Sequence, residues 1–308
     1  MAARMSFLGP SGTFTEQALR TFPDAQEWET IPAASISDAL DMVGETTEAA
    51  VVPMENSVEG AVGATMDYLL KHPSLMIVGE ALLEVAFGLY GKPGLAQADI
   101  ATVSTHPHAY AQCRGWLSTH VPQARYVAAA STADAARAVR DGEFDAAVCA
   151  AIAGANYGLT ALAPSIADNP GAVTRFVRVA KAGRPPEPTG DDVTSLALTL
   201  PHDQSGSLQI ALTQFSVRGV NLSRIESRPV KQQLGVYWFF LDCSGHIADA
   251  PVAEAFAGLR RVASEVRFFG SYPRAARSPL NGPENTAQVN LEHQAAIDWV
   301  AELRSGNF

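Results

Sequence analysis

The fold turns on Val173-Thr174-Arg175-Phe176-Val177-Arg178-Val179-Ala180 and the segment that follows, Ala182-Gly183-Arg184-Pro185-Pro186-Glu187-Pro188-Thr189-Gly190-Asp191-Asp192. The first part is Val-rich and reads as a strand. The second is dense in Pro, Gly and Asp and reads as a linker, beyond which a new domain begins. Strands alternate with helices before this stretch, so the Val173 strand is expected to cross back from a second lobe to the first. That crossing makes a hinge and sets Thr174 in the cleft between lobes.

Working outward toward the N-terminus, Met5–Leu8 reads as a strand, Gly9–Gly12 as a turn, and about Thr15–Phe22 as a helix. The alternation then repeats: a helix near Ile36–Val43, a strand Ala49–Pro53, a helix near Ala61–Lys71, and a strand-rich stretch Leu75–Tyr90. A second series has strands at Ile100–Ser104, Arg125–Ala128 and Asp145–Cys149. Its helices lie at about His108–His120 and Thr132–Arg140, the latter with Ser131 as N-cap and Gly142 just past its end. Such alternation predicts α/β lobes with parallel sheets, divided near Gly79–Gly94. The expected catalytic domain is 1–182, with lobe one about 1–78 plus 168–182 and lobe two about 79–167. Ligands then belong at the C-terminal ends of strands, facing the cleft.

Beyond the linker, the order of strands and helices is βαββαβ across 193–272, a ferredoxin-like pattern. The tail 273–308 is rich in Pro and Asn up to a helix near His293–Arg304.

Composition narrows the function classes. The chain has 308 residues, 47% hydrophobic and 18% charged, the balance of a folded protein. A formal net charge of −10 argues against nucleic-acid partners and leaves any anionic substrate to local donors. Three scattered cysteines, Cys113, Cys149 and Cys243, give neither a disulfide framework nor a zinc pattern, and no secretory leader is visible. A cytoplasmic location is expected. The uncharged run Ala146–Ala163 is dominated by Ala and carries Asn156, Tyr157 and Thr160, so it reads as a buried strand and helix and not as a membrane span.

Four short motifs carry chemistry. Gly9–Glu16, GPSGTFTE, links a strand to a helix, where free amides and hydroxyls such as Thr13 can hold an anion or simply cap the helix. Pro53–Gly60, PMENSVEG, gathers Glu55, Asn56 and Ser57 at the end of an apolar strand, either as a site or as a helix cap. Arg175, within Thr174-Arg175-Phe176, needs a partner inside a Val-rich strand: a substrate carboxylate or a structural acid. The fourth is Glu226-Ser227-Arg228-Pro229. The sequence His106-Pro107-His108 lacks the companions a metal site requires, and neither GxSxG nor HExxH occurs. No cofactor and no metal are expected.

Together these motifs resemble the prephenate dehydratase family, the likeness running from about Met5 to Tyr272. It implies a two-lobed catalytic domain like a periplasmic binding protein, followed by a regulatory domain of ACT type. It also implies conversion of prephenate to phenylpyruvate, carbon dioxide and water, with L-phenylalanine as feedback effector and a homodimer or homotetramer as the assembly. Catalytic roles fall by resemblance on Thr174, Asn56 and Gln112, the last beside Cys113 and after His106-Pro107, with Thr105 where serine is common. Arg175, Glu55, Ser57, Thr105 and Thr13 are the expected substrate contacts. Phenylalanine is placed near Asn221-Leu222 and the loop holding Gly206, Ser207 and Leu208, with Glu226, Ser227 and Arg228 coupling the sites. The loop Gln204–Leu208 departs from the common Pro-Gly-Ala-Leu, which bears on effector affinity. No chorismate mutase region is expected before Met5. Arogenate dehydratase, and a non-catalytic small-molecule sensor with a solute-binding cleft, are the alternatives.

Overall fold

The computed structural model describes residues 3–201, 205–230, 235–275 and 286–306. Gln204 and 276–285 therefore lie outside the described residues. In chain order the first elements are Ala3–Leu8 (β1), Phe14–Leu19 (α1), Trp28–Ala33 (β2), Ile36–Asp41 (α2), Ala49–Asn56 (β3), Gly60–Ala61 (β4), Gly63–Lys71 (α3) and Leu75–Glu84 (β5). Next come Gly88–Gly91 (β6), Thr102–Thr105 (β7), Pro107–His120 (α4), Arg125–Ala128 (β8), Thr132–Asp141 (α5), Ala146–Cys149 (β9), Ala151–Asn156 (α6), Thr160–Ala163 (β10) and Val173–Lys181 (β11). The remainder is Asp192–Thr199 (β12), Ser207–Ser216 (α7), Leu222–Pro229 (β13), Tyr237–Ser244 (β14), Ala250–Val262 (α8), Glu265–Pro273 (β15) and Thr286–Ser305 (α9).

Two sheets build the first lobe pair. One has the order β2-β1-β3-β11-β5, with β4 hairpinned onto β3. Its inner strand β3 is apolar on both faces, Ala50, Val51 and Val52 being fully buried, as a strand covered by helices requires. The returning strand β11 lies in this sheet, although its sequence follows that of the second, so the predicted crossing back is present.

The second sheet has the order β10-β6-β9-β7-β8. Here the expectation of purely parallel sheets needs correction. The pairs β7–β8 and β7–β9 are parallel, but β6 runs antiparallel to both β9 and β10. Strand β6 enters this sheet directly from β5 of the other sheet, after residues 85–87 with no helix between, and so is not one of the strands that a βαβ crossover would make parallel. Helix α5 is bounded as its sequence predicts: Ser131 Oγ accepts from Asp134 N at 2.9 Å, and Gly142 ends it in the left-handed region. The run Ala146–Ala163 resolves into β9, α6 and β10. No helix among the described residues is long and apolar enough to cross a membrane.

The third sheet, β13-β14-β12-β15, is antiparallel throughout and realises the βαββαβ order. Leu196, Leu198, Leu241 and Cys243 on one face pack against Ala211 and Phe215 of α7 and Val252, Ala255 and Leu259 of α8.

The chain divides into two compact units, Met1–Met66 with Ala81–Val179 and Asp67–Glu80 with Ala180–Phe308. The segment Asp67–Glu80, read from sequence as part of lobe one, thus packs with the C-terminal unit. Gly270 of β15 shows how closely: a Cβ there would stand 2.1 Å from the Ile77 carbonyl oxygen, so only glycine admits that backbone.

Candidate active site

The end of β3 and the start of β11 form one hydrogen-bonded corner. Ser57 N donates to Val173 O at 2.9 Å, and Val173 N donates to Ser57 Oγ at 2.9 Å, which pins the strand immediately before Thr174. Asn56 Oδ1 accepts from Val58 N at 2.8 Å and Glu59 N at 3.0 Å. With its oxygen so engaged, the Asn56 amide must present nitrogen on the other side, and Nδ2 donates to Thr174 Oγ1 at 2.7 Å. Thr174 is buried and its oxygen already accepts a hydrogen bond. Its own O–H proton is therefore left to donate to something else. The arrangement makes a threonine hydroxyl of fixed position and fixed donor polarity.

Neighbouring strand residues point to opposite faces. Asn56 and Thr174 meet on one, while Glu55 and Arg175 face each other on the other, with Arg175 Nη1 4.0 Å from Glu55 Oε2 and the guanidinium side chain 12% exposed. Of the two readings of Arg175, the structure brings it to a protein carboxylate.

Lobe two contributes α4 and β7. Thr105 is fully buried, and its hydroxyl donates to Val148 O at 2.7 Å, so that donor is already used. Gln112 lies half-buried on α4, and its side-chain amide has no hydrogen-bond partner among the described residues. His106 is the N-cap of α4, its Nδ1 accepting from His108 N at 3.3 Å. Burial, then the neighbouring His108, hold the His106 pKa below its usual 6.5, against a smaller opposing pull from Glu59. His108 Nδ1 lies 2.7 Å from Glu59 Oε1, a contact that joins α4 to the loop after Asn56. In sequence the two histidines read as an incomplete metal motif, with His106-Pro107 marking the position of Gln112, and the pairing of His108 with Glu59 is not visible there. The thiol of Cys113 is pushed up to about 12, by burial first and Asp168 second, which makes it a poor nucleophile.

Thr13 caps α1: its hydroxyl donates to Leu8 O at 3.0 Å and accepts from Glu16 N at 3.4 Å, while Glu16 reaches back to Gly12 N at 2.6 Å. The GPSGTFTE stretch is thus a turn with reciprocal capping, and Tyr157 OH donates to Ser11 O at 3.1 Å.

In the C-terminal unit a cavity of about 400 Å³ is lined by Gly206, Ser207, Leu208, Val236, Tyr237 and Phe239 among others. Asn221 and Leu222 do not line it, and Leu222 packs instead against the helix-side core. Glu226, Ser227 and Arg228 lie on β13, where Arg228 Nη2 stands 3.3 Å from Asp67 Oδ1. The cavity aromatics Tyr237 and Phe239 were not anticipated, because β14 reads simply as a strand.

A polar corner at the end of buried strands, in a two-sheet α/β unit followed by a βαββαβ unit, defines an α/β enzyme with an appended C-terminal unit. The sequence profile described as prephenate dehydratase matches residues 5–184. The prephenate dehydratase of Amycolatopsis methanolica is 46% identical over 99% of this chain and 99% of its own. A crystal structure of prephenate dehydratase in complex with L-Phe from Arthrobacter aurescens superposes with a TM-score of 0.86 at 44% identity, over 97% of this chain and 100% of that one. A solved structure described as GqqA, a novel type of quorum quenching acylase, is 31% identical with a TM-score of 0.79, over 90% and 98%. The chain belongs to the prephenate dehydratase family, lyases that dehydrate and decarboxylate prephenate.

Proposed function

We propose that Thr174 is the centre of prephenate dehydration in this chain. Decarboxylation sends the carboxylate's electron pair into the ring as the 4-hydroxyl leaves, and aromatisation supplies the driving force. The protein's task is to stabilise the departing oxygen. The Thr174 hydroxyl, with Asn56 occupying its acceptor side, is a donor aimed by structure before the substrate arrives, so little reorganisation is needed as charge develops. Gln112 is a second donor, and the departing hydroxide becomes water by taking up one proton supplied by bulk solvent (buffer acid or hydronium) and relayed through water. The observation that carries this reading is the 2.7 Å hydrogen bond from Asn56 Nδ2 to Thr174 Oγ1. Glu55 and Arg175 support the strand from its other face, and Thr13, Ser57 and Thr105 hold backbone.

An acylase reading would require a nucleophile with an adjacent base. The partner of Thr174 is an amide, which cannot take a proton, so the geometry favours the lyase. Incubation with prephenate and separately with arogenate, following phenylpyruvate and phenylalanine, tests the assignment; no turnover of either would overturn it.

The C-terminal unit is proposed to be an ACT-type module that binds L-phenylalanine in the Gly206–Leu208 cavity. The amides that open α7, after an N-cap glycine with no capping side chain, suit the amino acid's carboxylate, and Tyr237 and Phe239 suit its ring. The L-Phe complex of the Arthrobacter relative supports this reading. A homodimer or homotetramer is the proposed assembly and the cytoplasm the proposed location.

A further inference from the structure

Asp168 stands in the segment that carries the chain back from lobe two to β11, six residues before Thr174. Its backbone N donates to Gln112 O at 2.7 Å. Its carboxylate accepts from Gly115 N at 2.8 Å through Oδ2 and from Trp116 N at 2.8 Å through Oδ1. These amides lie inside α4, not at its end, where amides ordinarily serve only the helix's own carbonyls. A carboxylate reaches them because residue 115 is glycine. A Cβ at that position would lie 2.9 Å from Asp168 Oδ1. One residue therefore grips α4 through three hydrogen bonds, directly at Gln112 and one turn beyond it.

We propose that Asp168 is a positioning residue that sets Gln112 relative to Thr174. The two donors belong to different elements, Gln112 to helix α4 and Thr174 to strand β11, and the short covalent path from Asp168 to Thr174 converts the grip on α4 into a set separation between them. A charge-assisted, two-oxygen clamp holds orientation as well as distance, and sub-ångström placement governs how well a donor serves a developing charge. This rests on the reading of Gln112 as a donor to the reacting oxygen.

The test is a kinetic double-mutant cycle on the full chain with prephenate. Asp168→Asn keeps the size but presents an N–H to one of the two amides, and should lower kcat by about tenfold with KM changed less than about twofold. In a Gln112→Ala background the same substitution should lower kcat by less than about twofold, since the group it positions is gone. Gly115→Ala, which keeps Asp168 and its charge but puts a Cβ 2.9 Å from Oδ1 and so pushes the carboxylate off the two amides, should lower kcat in the same direction and serves if Asp168→Asn fails to fold. Equal losses from Asp168→Asn in both backgrounds would overturn the positioning role and leave Gln112 in the reaction. Normal kcat in Gln112→Ala would instead remove Gln112, and the proposal with it.

Discussion

At the residue scale the decisive feature is polarity. A threonine hydroxyl can donate or accept, and Asn56 settles which, because its oxygen is held by two backbone amides and its nitrogen by Thr174. Thr174→Val removes the donor while keeping the shape, so kcat should fall by roughly a hundredfold with KM little changed, the pattern of a contact made mainly in the transition state. Steady-state kinetics on the folded variant checks this, and near-normal turnover would remove Thr174 from the mechanism. Asn56→Asp is a sharper probe. A carboxylate there would accept the Thr174 proton and reverse the hydroxyl, so kcat should fall comparably. The Asn56→Asp/Thr174→Val pair should then lose no more than about twofold beyond Thr174→Val alone. Additive losses would show that Asn56 acts by another route. Sequence made these two residues visible as motif members but not as partners, since 118 positions separate them. It left Arg175 open between substrate and structure, because one strand cannot reveal that Glu55 waits on the same face of its neighbour.

At the element scale α4 does the most, joining β7 to β8 while carrying Gln112, His108 and the amides gripped by Asp168. Its N-terminus is capped by a histidine, with Pro107 at the first helical position. A cap of this kind works only while the imidazole nitrogen is unprotonated. His106 has its folded pKa depressed below 6.5, so as pH falls the unfolded chain takes up the proton first. The contribution of neutral His106 is accordingly complete above pH 6.5 and is lost as pH falls through the folded value. His106→Asn keeps a side-chain acceptor that does not titrate. On lowering pH from 7.5 to 5.5, wild type should lose more Tm than the variant by about 2 °C. Parallel Tm–pH curves would exclude His106 as the source. Periodicity located most of the other elements. It missed β2, whose Trp28–Ala33 sequence holds a proline, and the reversed β6, because strand direction depends on which elements the chain has already placed.

At the scale of the whole molecule, α3 is the element that the two compact units share. Thr65 Oγ1 donates to Pro53 O at 2.6 Å, tying the helix to the strand that ends in Asn56, and two residues later Asp67 meets Arg228 of β13. Asp67 and β13 belong to the same compact unit, and their ion pair ties the C-terminal half of α3 to that strand. The sequence reads Ala182–Asp192 as a linker, which invites truncation as a way to isolate the first unit. Because Gly270 packs on Ile77, removal of the C-terminal unit would bare the 67–80 segment and destabilise what remains. Point substitution is the cleaner experiment. L-Phenylalanine should inhibit the intact chain, and about tenfold coupling between effector and substrate needs only about 1.4 kcal/mol of differential contact. Asp67→Asn, which weakens the ion pair without touching the cavity or the Asn56–Thr174 corner, should cut that coupling severalfold. It should leave uninhibited kcat within about twofold and phenylalanine binding by calorimetry nearly unchanged. Unchanged inhibition in Asp67→Asn would exclude the Arg228–Asp67 pair as the route. Loss of phenylalanine binding itself would place Asp67 in the effector site and not between the two sites.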